Sequence, residues 1–266
     1  MNAPATAAHI EPLVLERREG GVVHLTLNRP AQFNSLSEEM LAALAASLQA
    51  IAEDKTARVV VLGGAGKAFC AGHDLKQMKA NCSLEYYQRL FAECSRLMLL
   101  IQRMPQPVIA RVHGIATAAG CQLVGMCDLA VASTDARFAV SGINVGLFCS
   151  TPAVALSRNV GRKAAFEMLV TGEFIDASAA LARGLVNRVV AADSLDAEIK
   201  KLTDAIVAKP ALAIAMGKDL FYRQLEMGIE AAYQLAGQTM ACNMADAVAQ
   251  EGVQAFIEKR APNWPA

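Results

Sequence analysis

Three short apolar runs, separated by stretches of helical periodicity, constrain the fold of this chain more than any other feature. Val59-Val60-Val61-Leu62 ends at Gly63-Gly64, Val108-Ile109-Ala110-Arg111-Val112 runs on to Gly114, and Cys127-Asp128-Leu129-Ala130-Val131-Ala132 follows. Strands without polar alternation are buried on both faces. The segment from Leu84 to Arg103 has the pattern of a helix, ended by Pro105 and Pro107. A second helix is expected to begin within Gly114–Gln122. Strand, helix, strand, helix, strand in this order implies right-handed βαβ crossovers and a largely parallel sheet.

The remaining elements fit around that core. Val14–Arg17 and Val22–Leu27 flank Glu19-Gly20-Gly21 and are read as a β-hairpin, with Asn28-Arg29-Pro30 breaking the second strand. Ser37 precedes Glu38-Glu39 and an alanine- and leucine-rich run to Glu53, acids in the first turn as a helix N-terminus prefers. From about Thr151 the pattern is helical and nearly continuous, punctuated by Gly161, Gly172, Gly184 and Pro210. The expected organisation is a flexible tail over residues 1–11, an α/β core over 12–200 and a helical C-terminal region over 201–266.

Composition narrows the function. Hydrophobic residues make up 54% of the 266 and charged residues 19%, which predicts a large core together with apolar surface hidden in an oligomer. Twenty-five Lys and Arg balance twenty-five Asp and Glu, so no global field favours nucleic acid or an anionic membrane. The seven cysteines are scattered without a CxxC pair and the four histidines are separated. This argues against a metal site and for reduced thiols in a cytoplasmic compartment. Residues 1–8 have neither a basic start nor an apolar stretch, and no apolar run reaches the ~18 residues of a membrane span.

Two loops carry the chemistry. Gly63–Ala68 invites a phosphate-loop reading, but Val61 stands where the first glycine is needed and Ala68 where a Ser or Thr would hold Mg²⁺. The longer string Gly66–Lys76 (GKAFCAGHDLK) is more informative. Its small residues Ala68, Ala71 and Gly72 allow close backbone approach to a ligand, and Asp74 is placed to cap the segment that follows. The second loop, Gly114–Gln122 (GIATAAGCQ), is read as a strand end feeding a helix N-terminus, where backbone N–H groups can grip a developing negative charge.

Taken together these loops resemble the crotonase, or enoyl-CoA hydratase/isomerase, superfamily. Further landmarks extend the resemblance over roughly residues 12–264. They are Asn28-Arg29-Pro30 with Asn34-Ser35-Leu36, then Cys127–Ser133, the group Ala179, Leu181, Gly184, Leu185 and Val186 with Val189-Val190, and finally Glu251, Gly252, Phe256, Lys259, Arg260 and Pro262. The resemblance implies the crotonase (ClpP-like) spiral of ββα units, with a C-terminal helical trimerisation region and a homotrimer or homohexamer. It implies a CoA thioester as substrate and no cofactor or metal.

Carried over residue by residue, the resemblance puts an oxyanion hole on the backbone N–H groups of His73 and Ala119. It lines the CoA arm with Ala68, Phe69, Cys70, Ala71 and Gly72, and extends the binding set to Asp74, Leu75, Ala118 and Asn144. Arg29 and Lys67 become phosphate contacts, and Phe256 and Lys259 residues that reach a neighbouring subunit's CoA.

The departure concerns proton transfer. The two glutamates of family hydratases fall on Gln122 and Gly142, and Ser150 stands where dienoyl isomerases carry an aspartate. An amide has no useful pKa and glycine has no side chain, so ordinary hydration does not follow. His73, Cys121 and Cys149 are candidate substitutes. For each the plainer reading is packing, as it is for Asp128. Gln122 and Asn144 are either a water-orienting pair or a satisfied polar pair.

Three function classes therefore stand. One is an acyl-CoA enzyme, a lyase or isomerase of fatty-acid metabolism, that stabilises a thioester enolate with or without atypical acid–base groups. The second is a non-catalytic acyl-CoA-binding protein. A nucleic-acid binder is disfavoured by the zero net charge.

Overall fold

The computed structural model describes residues 11–264; most of the expected tail, residues 1–10, lies outside them. The N-terminal hairpin forms as read, β1 (Val14–Glu19) pairing antiparallel with β2 (Val22–Leu27). Helix α1 (Glu38–Glu53) starts where Ser37 accepts a hydrogen bond from the Met40 N–H, the N-cap its sequence announces. Then come β3 (Val59–Gly64), β4 (Ala68–Cys70), α2 (Leu75–Ala80), α3 (Leu84–Arg103), β5 (Val108–Val112), β6 (Ile115–Thr117), α4 (Ala119–Met126), β7 (Leu129–Ser133) and β8 (Arg137–Ala139). The chain continues through α5 (Ser150–Asn159), α6 (Arg162–Thr171), β9 (Ile175–Asp176), α7 (Ala177–Ala182), β10 (Arg188–Val190) and α8 (Leu195–Val207). It finishes with α9 (Ala211–Gln224), α10 (Ile229–Ala245) and α11 (Ala247–Glu258).

Two sheets result. The larger has the order β1-β2-β3-β5-β7-β10 and is parallel except for the first hairpin. Strand periodicity divides its side chains between two layers. Val23, Leu25, Val60, Leu62, Val108 and Ala110 enter the main core, which also holds Leu44 and Leu48 of α1 and Leu97 and Ile101 of α3. Val59, Val61, Ile109 and Val131 face the other way, onto Leu195 and Ile199 of α8. The smaller sheet, β4-β6-β8-β9, carries the chemistry-bearing loops.

The structure corrects the sequence reading in three places. Residues 68–70, read as ligand loop, are the strand β4. The region after Thr151 is not continuously helical, because β9 and β10 each join a sheet. The third apolar run becomes a strand only at Leu129, since Cys127 still donates its N–H to the end of α4. No helix among the described residues is long and apolar enough to cross a membrane.

Asp128 lies in that gap and holds the C-terminal helices to the core. Its carboxylate accepts from Lys218 Nζ at 2.7 Å, Tyr222 OH at 2.8 Å and the Val108 N–H at 2.7 Å. Lys218 donates further to the carbonyls of Ile101 and Gln106. Burial pulls the Lys218 pKa down, and Asp128 offsets part of that shift. Asp128 is structural, as its plainer reading had it.

Candidate active site

Strand β4 pairs in parallel with β6, and β6 with β8, so the loops leaving β4 and β6 emerge side by side at the same sheet end. Gly72 measures how closely they meet. A Cβ placed on it would lie 2.9 Å from the Ala118 Cβ and 3.2 Å from the Ala119 N. Its φ of +89° also requires glycine. Across from it Ala118 holds φ 50° and ψ −121°, a strained conformation for alanine that costs about 1–3 kcal/mol. Its N–H donates to the Ala139 carbonyl and its carbonyl accepts from the Gln122 N–H. The strain turns the chain from β6 into α4 within one residue.

Two backbone donors are left over at this junction. Leu36 donates to the Gly72 carbonyl and accepts from the Asp74 N–H; this bridge brackets His73 and leaves its own N–H outside the pairing. Ala119 is the first residue of α4, where helix geometry supplies no partner for the N–H. The arrangement can hold an oxyanion between two chain segments.

The positions where the family glutamates fall, Gln122 and Gly142, carry no carboxylate, and that of Asp74, next to His73, is engaged by Arg29. The His73 ring is largely buried, its edge meets Phe91 with centroids 5.5 Å apart, and neither ring nitrogen has a hydrogen-bond partner. Burial holds its pKa below the usual imidazole value, against a smaller opposing effect of the Leu36 carbonyl. Gln122 is 4% exposed and its Oε1 is also without a partner. Asn144 does not pair with it, for its Nδ2 donates to the Gly172 carbonyl at 3.4 Å. The reading of Gln122 and Asn144 as a satisfied polar pair is thereby corrected. Thr117 Oγ1 and Ser141 Oγ lie 2.8 Å apart, a polar contact the sequence did not signal.

At Gly142 there is no room for a side chain. A Cβ there would lie 2.5 Å from the Leu147 carbonyl oxygen and 2.7 Å from Cys149 Sγ. The Gly142 N–H donates to that sulfur at 3.3 Å and the Gly142 carbonyl accepts from Leu147. The segment 141–149 thus folds back over the place where an acid would stand. Burial pushes the Cys121 thiol up to about 12 and raises Cys149 as well, so neither is an activated nucleophile. Ser150 Oγ donates to the Phe148 carbonyl on the exposed side.

The other predicted binding residues divide into two groups. Ala68, Phe69 and Cys70 have buried side chains and offer a ligand only their backbone; Ala71 is partly exposed and Leu75 exposed. Asp74 caps α2 through the N–H groups of Lys76 and Gln77, and pairs with Arg29 at 3.1 Å. Arg29 also donates to the Ser35 carbonyl and is 20% exposed. Its guanidinium thus braces the loop, whereas Lys67 is exposed. Phe256 and Lys259 lie on and just after α11, where Phe256 lines a recess with Pro210, Ala213 and Trp264. Within one chain they are not brought to the loops after β4 and β6.

The family profile described as enoyl-CoA hydratase/isomerase matches residues 17–266, and the chain belongs to that family. Within it, the chain is similar to enoyl-CoA hydratase domain-containing protein 3, mitochondrial, of Xenopus laevis, 44% identical over 97% of this chain and 89% of the relative. The crystal structure of the human protein of that description is 42% identical, with TM-score 0.92, and covers 95% of this chain and all of its own. An enoyl-CoA hydratase from Mycobacterium smegmatis is 69% identical, with TM-score 0.95 over 96% of this chain and 99% of its own. These neighbours show the crotonase fold. The cytoplasmic expectation is overturned, since the Xenopus, mouse and human relatives are all named as mitochondrial. Reduced thiols mark a reducing compartment and do not distinguish one such compartment from another.

Proposed function

We propose that this chain binds an acyl-CoA thioester and holds its carbonyl oxygen between the N–H groups of His73 and Ala119, without running the two-carboxylate hydration. The observation that carries the reading is the presence of two unpartnered backbone donors at one junction, with Gln122 and Gly142 where a carboxylate pair would stand. Each such donor is typically worth about 2.7–4 kcal/mol to a developing oxyanion. Enolate chemistry, as lyase or isomerase, remains open to such a site with proton transfer by atypical groups. A purely binding role is favoured by the closure of segment 141–149 over Gly142.

The C-terminal helices are proposed as the oligomer contact. Ile229, Tyr233, Met240 and Phe256 are exposed along α10 and α11, Phe256 at 85%, more apolar surface than an isolated chain leaves bare. Sedimentation equilibrium at three or six times 28.2 kDa checks this; a monomer at micromolar concentration contradicts it.

The thioester reading is tested with two ligands of equal length. Butyryl-CoA carries the carbonyl oxygen and the thioether S-butyl-CoA does not. Two hydrogen bonds at about 0.5–1.5 kcal/mol each predict roughly 5- to 150-fold tighter binding of the thioester by calorimetry. Equal affinities would mean that the N–H pair does not meet the ligand.

A further inference from the structure

The two glycines that end β3 face opposite ways. A Cβ on Gly64 would strike the carbonyls of Phe69 and Ala68 in β4, at 2.5 and 2.8 Å. One on Gly63 would meet nothing nearer than the Arg111 Cδ at 3.8 Å. Neither close packing nor a positive φ calls for glycine at 63. A glycine within a strand then marks the approach of another group, and the group beside it is the Arg111 side chain.

This face of the larger sheet borders an open cavity of about 880 Å³ between the β1–β2 hairpin and α8. Register puts Thr26 of β2 beside Gly63, with His24 two residues earlier on the same face. Arg111 donates only through its Nε, to Asp196 at 2.5 Å. Among the described residues, its two terminal nitrogens, the Thr26 hydroxyl and the His24 ring make no hydrogen bond.

The charged groups facing His24 are Arg17 and Glu19 of β1, Arg111 of β5 and Asp196 of α8. Lys200 and Asp204 line the same cavity and pair with each other. Glu19, Asp196 and Asp204 are 70%, 78% and 60% exposed in their side chains, so water screens them, whereas Arg111 is 27% exposed. The inner wall thus presents a guanidinium fork, a hydroxyl and an imidazole with no acceptor to meet them. Such a fork matches the oxygens of a phosphate. Burial, and then Arg17, hold the His24 pKa below the usual imidazole value, so a bound anion would draw a proton onto the ring.

We propose that this cavity is a phosphate-binding site in which Arg111, His24 and Thr26 hold the dianion, on the sheet face away from the loops after β4 and β6. Its ligand is a phosphate, free or as a monoester. The site stands independently of the thioester reading.

Histidine proton NMR on the full chain tests it, with sulfate as the probe because its charge does not change near neutrality. Compared with chloride at equal ionic strength, sulfate should raise the His24 titration midpoint by about one pH unit, the signal being assigned with His24→Gln. Arg111→Gln abolishes the rise. Thr26→Val, which removes only a hydroxyl, weakens sulfate binding about 2- to 13-fold. Calorimetry separates the two sources. Tighter binding of phenyl phosphate than of inorganic phosphate assigns the site to a monoester, and equal binding assigns it to the free ion. No rise with sulfate in the wild type, or a rise that survives in Arg111→Gln, overturns the proposal. Affinity for butyryl-CoA is unchanged in Arg111→Gln; its loss there overturns the separation of the two sites.

Discussion

Asp128→Ala is expected to destabilise the chain by about 3–5 kcal/mol, read as a fall in the urea midpoint at unchanged slope. The carboxylate joins β5 to α9 through three bonds: it accepts from the N–H of Val108 in β5 and from Lys218 and Tyr222 of α9. Lys218 is 7% exposed and Asp128 12% in their side chains, so removing the acid strands an ammonium away from water. The carbonyls of Ile101 and Gln106 still solvate that ammonium in part, which argues for the lower end of the range. The double variant Asp128→Leu with Lys218→Met should regain most of the loss, because a buried ion pair replaced by apolar groups of similar size is often neutral. A single-variant loss below ~1 kcal/mol would show that α9 is not held by this pair.

Gly142→Glu, the substitution that would restore the missing acid, is expected to unsettle the fold instead. The obstruction is met at Cβ, 2.5 Å from the Leu147 carbonyl oxygen and 2.7 Å from Cys149 Sγ, so Gly142→Ala should already cost about 1–3 kcal/mol. Gln122→Glu combined with Gly142→Glu places a second acid at a 4% exposed position, where burial raises the pKa and keeps it protonated. Thermal unfolding should show both Gly142 variants below wild type, and crotonyl-CoA hydration should not rise. A stable double variant that hydrates crotonyl-CoA briskly would show that segment 141–149 yields and that only the two side chains were missing.

How much of this was legible in the sequence depended on whether a signal was local. Ser37 with Glu38-Glu39 announced α1, and the two prolines after Arg103 closed α3, because caps and breakers act within one turn. The strands β9 and β10 were missed, since two and three residues show no period and their pairing partners lie far off in sequence. The N–H pair could be assigned from family resemblance, but the strain at Ala118 that builds the turn could not.

The absence of an acid at Gly142 was plain in the letters. The occupation of its space by Leu147 and Cys149 was not, since it depends on how segment 141–149 folds back. Lys218 gave a faint sign: it stands four residues before Tyr222, on one face of α9. A lysine in an ordinary helix is otherwise taken for a solvated residue.

The claim that this chain keeps the thioester-holding half of the site without the proton-transfer half is tested most directly by one progress curve. Purified protein is mixed with crotonyl-CoA and loss of the conjugated thioester absorbance is followed at saturating ligand. Each missing acid–base group typically costs about 10²- to 10⁴-fold, so turnover should fall at least about 10⁴-fold below that of a two-glutamate hydratase, with binding retained. Turnover at the rate of such a hydratase would contradict the account.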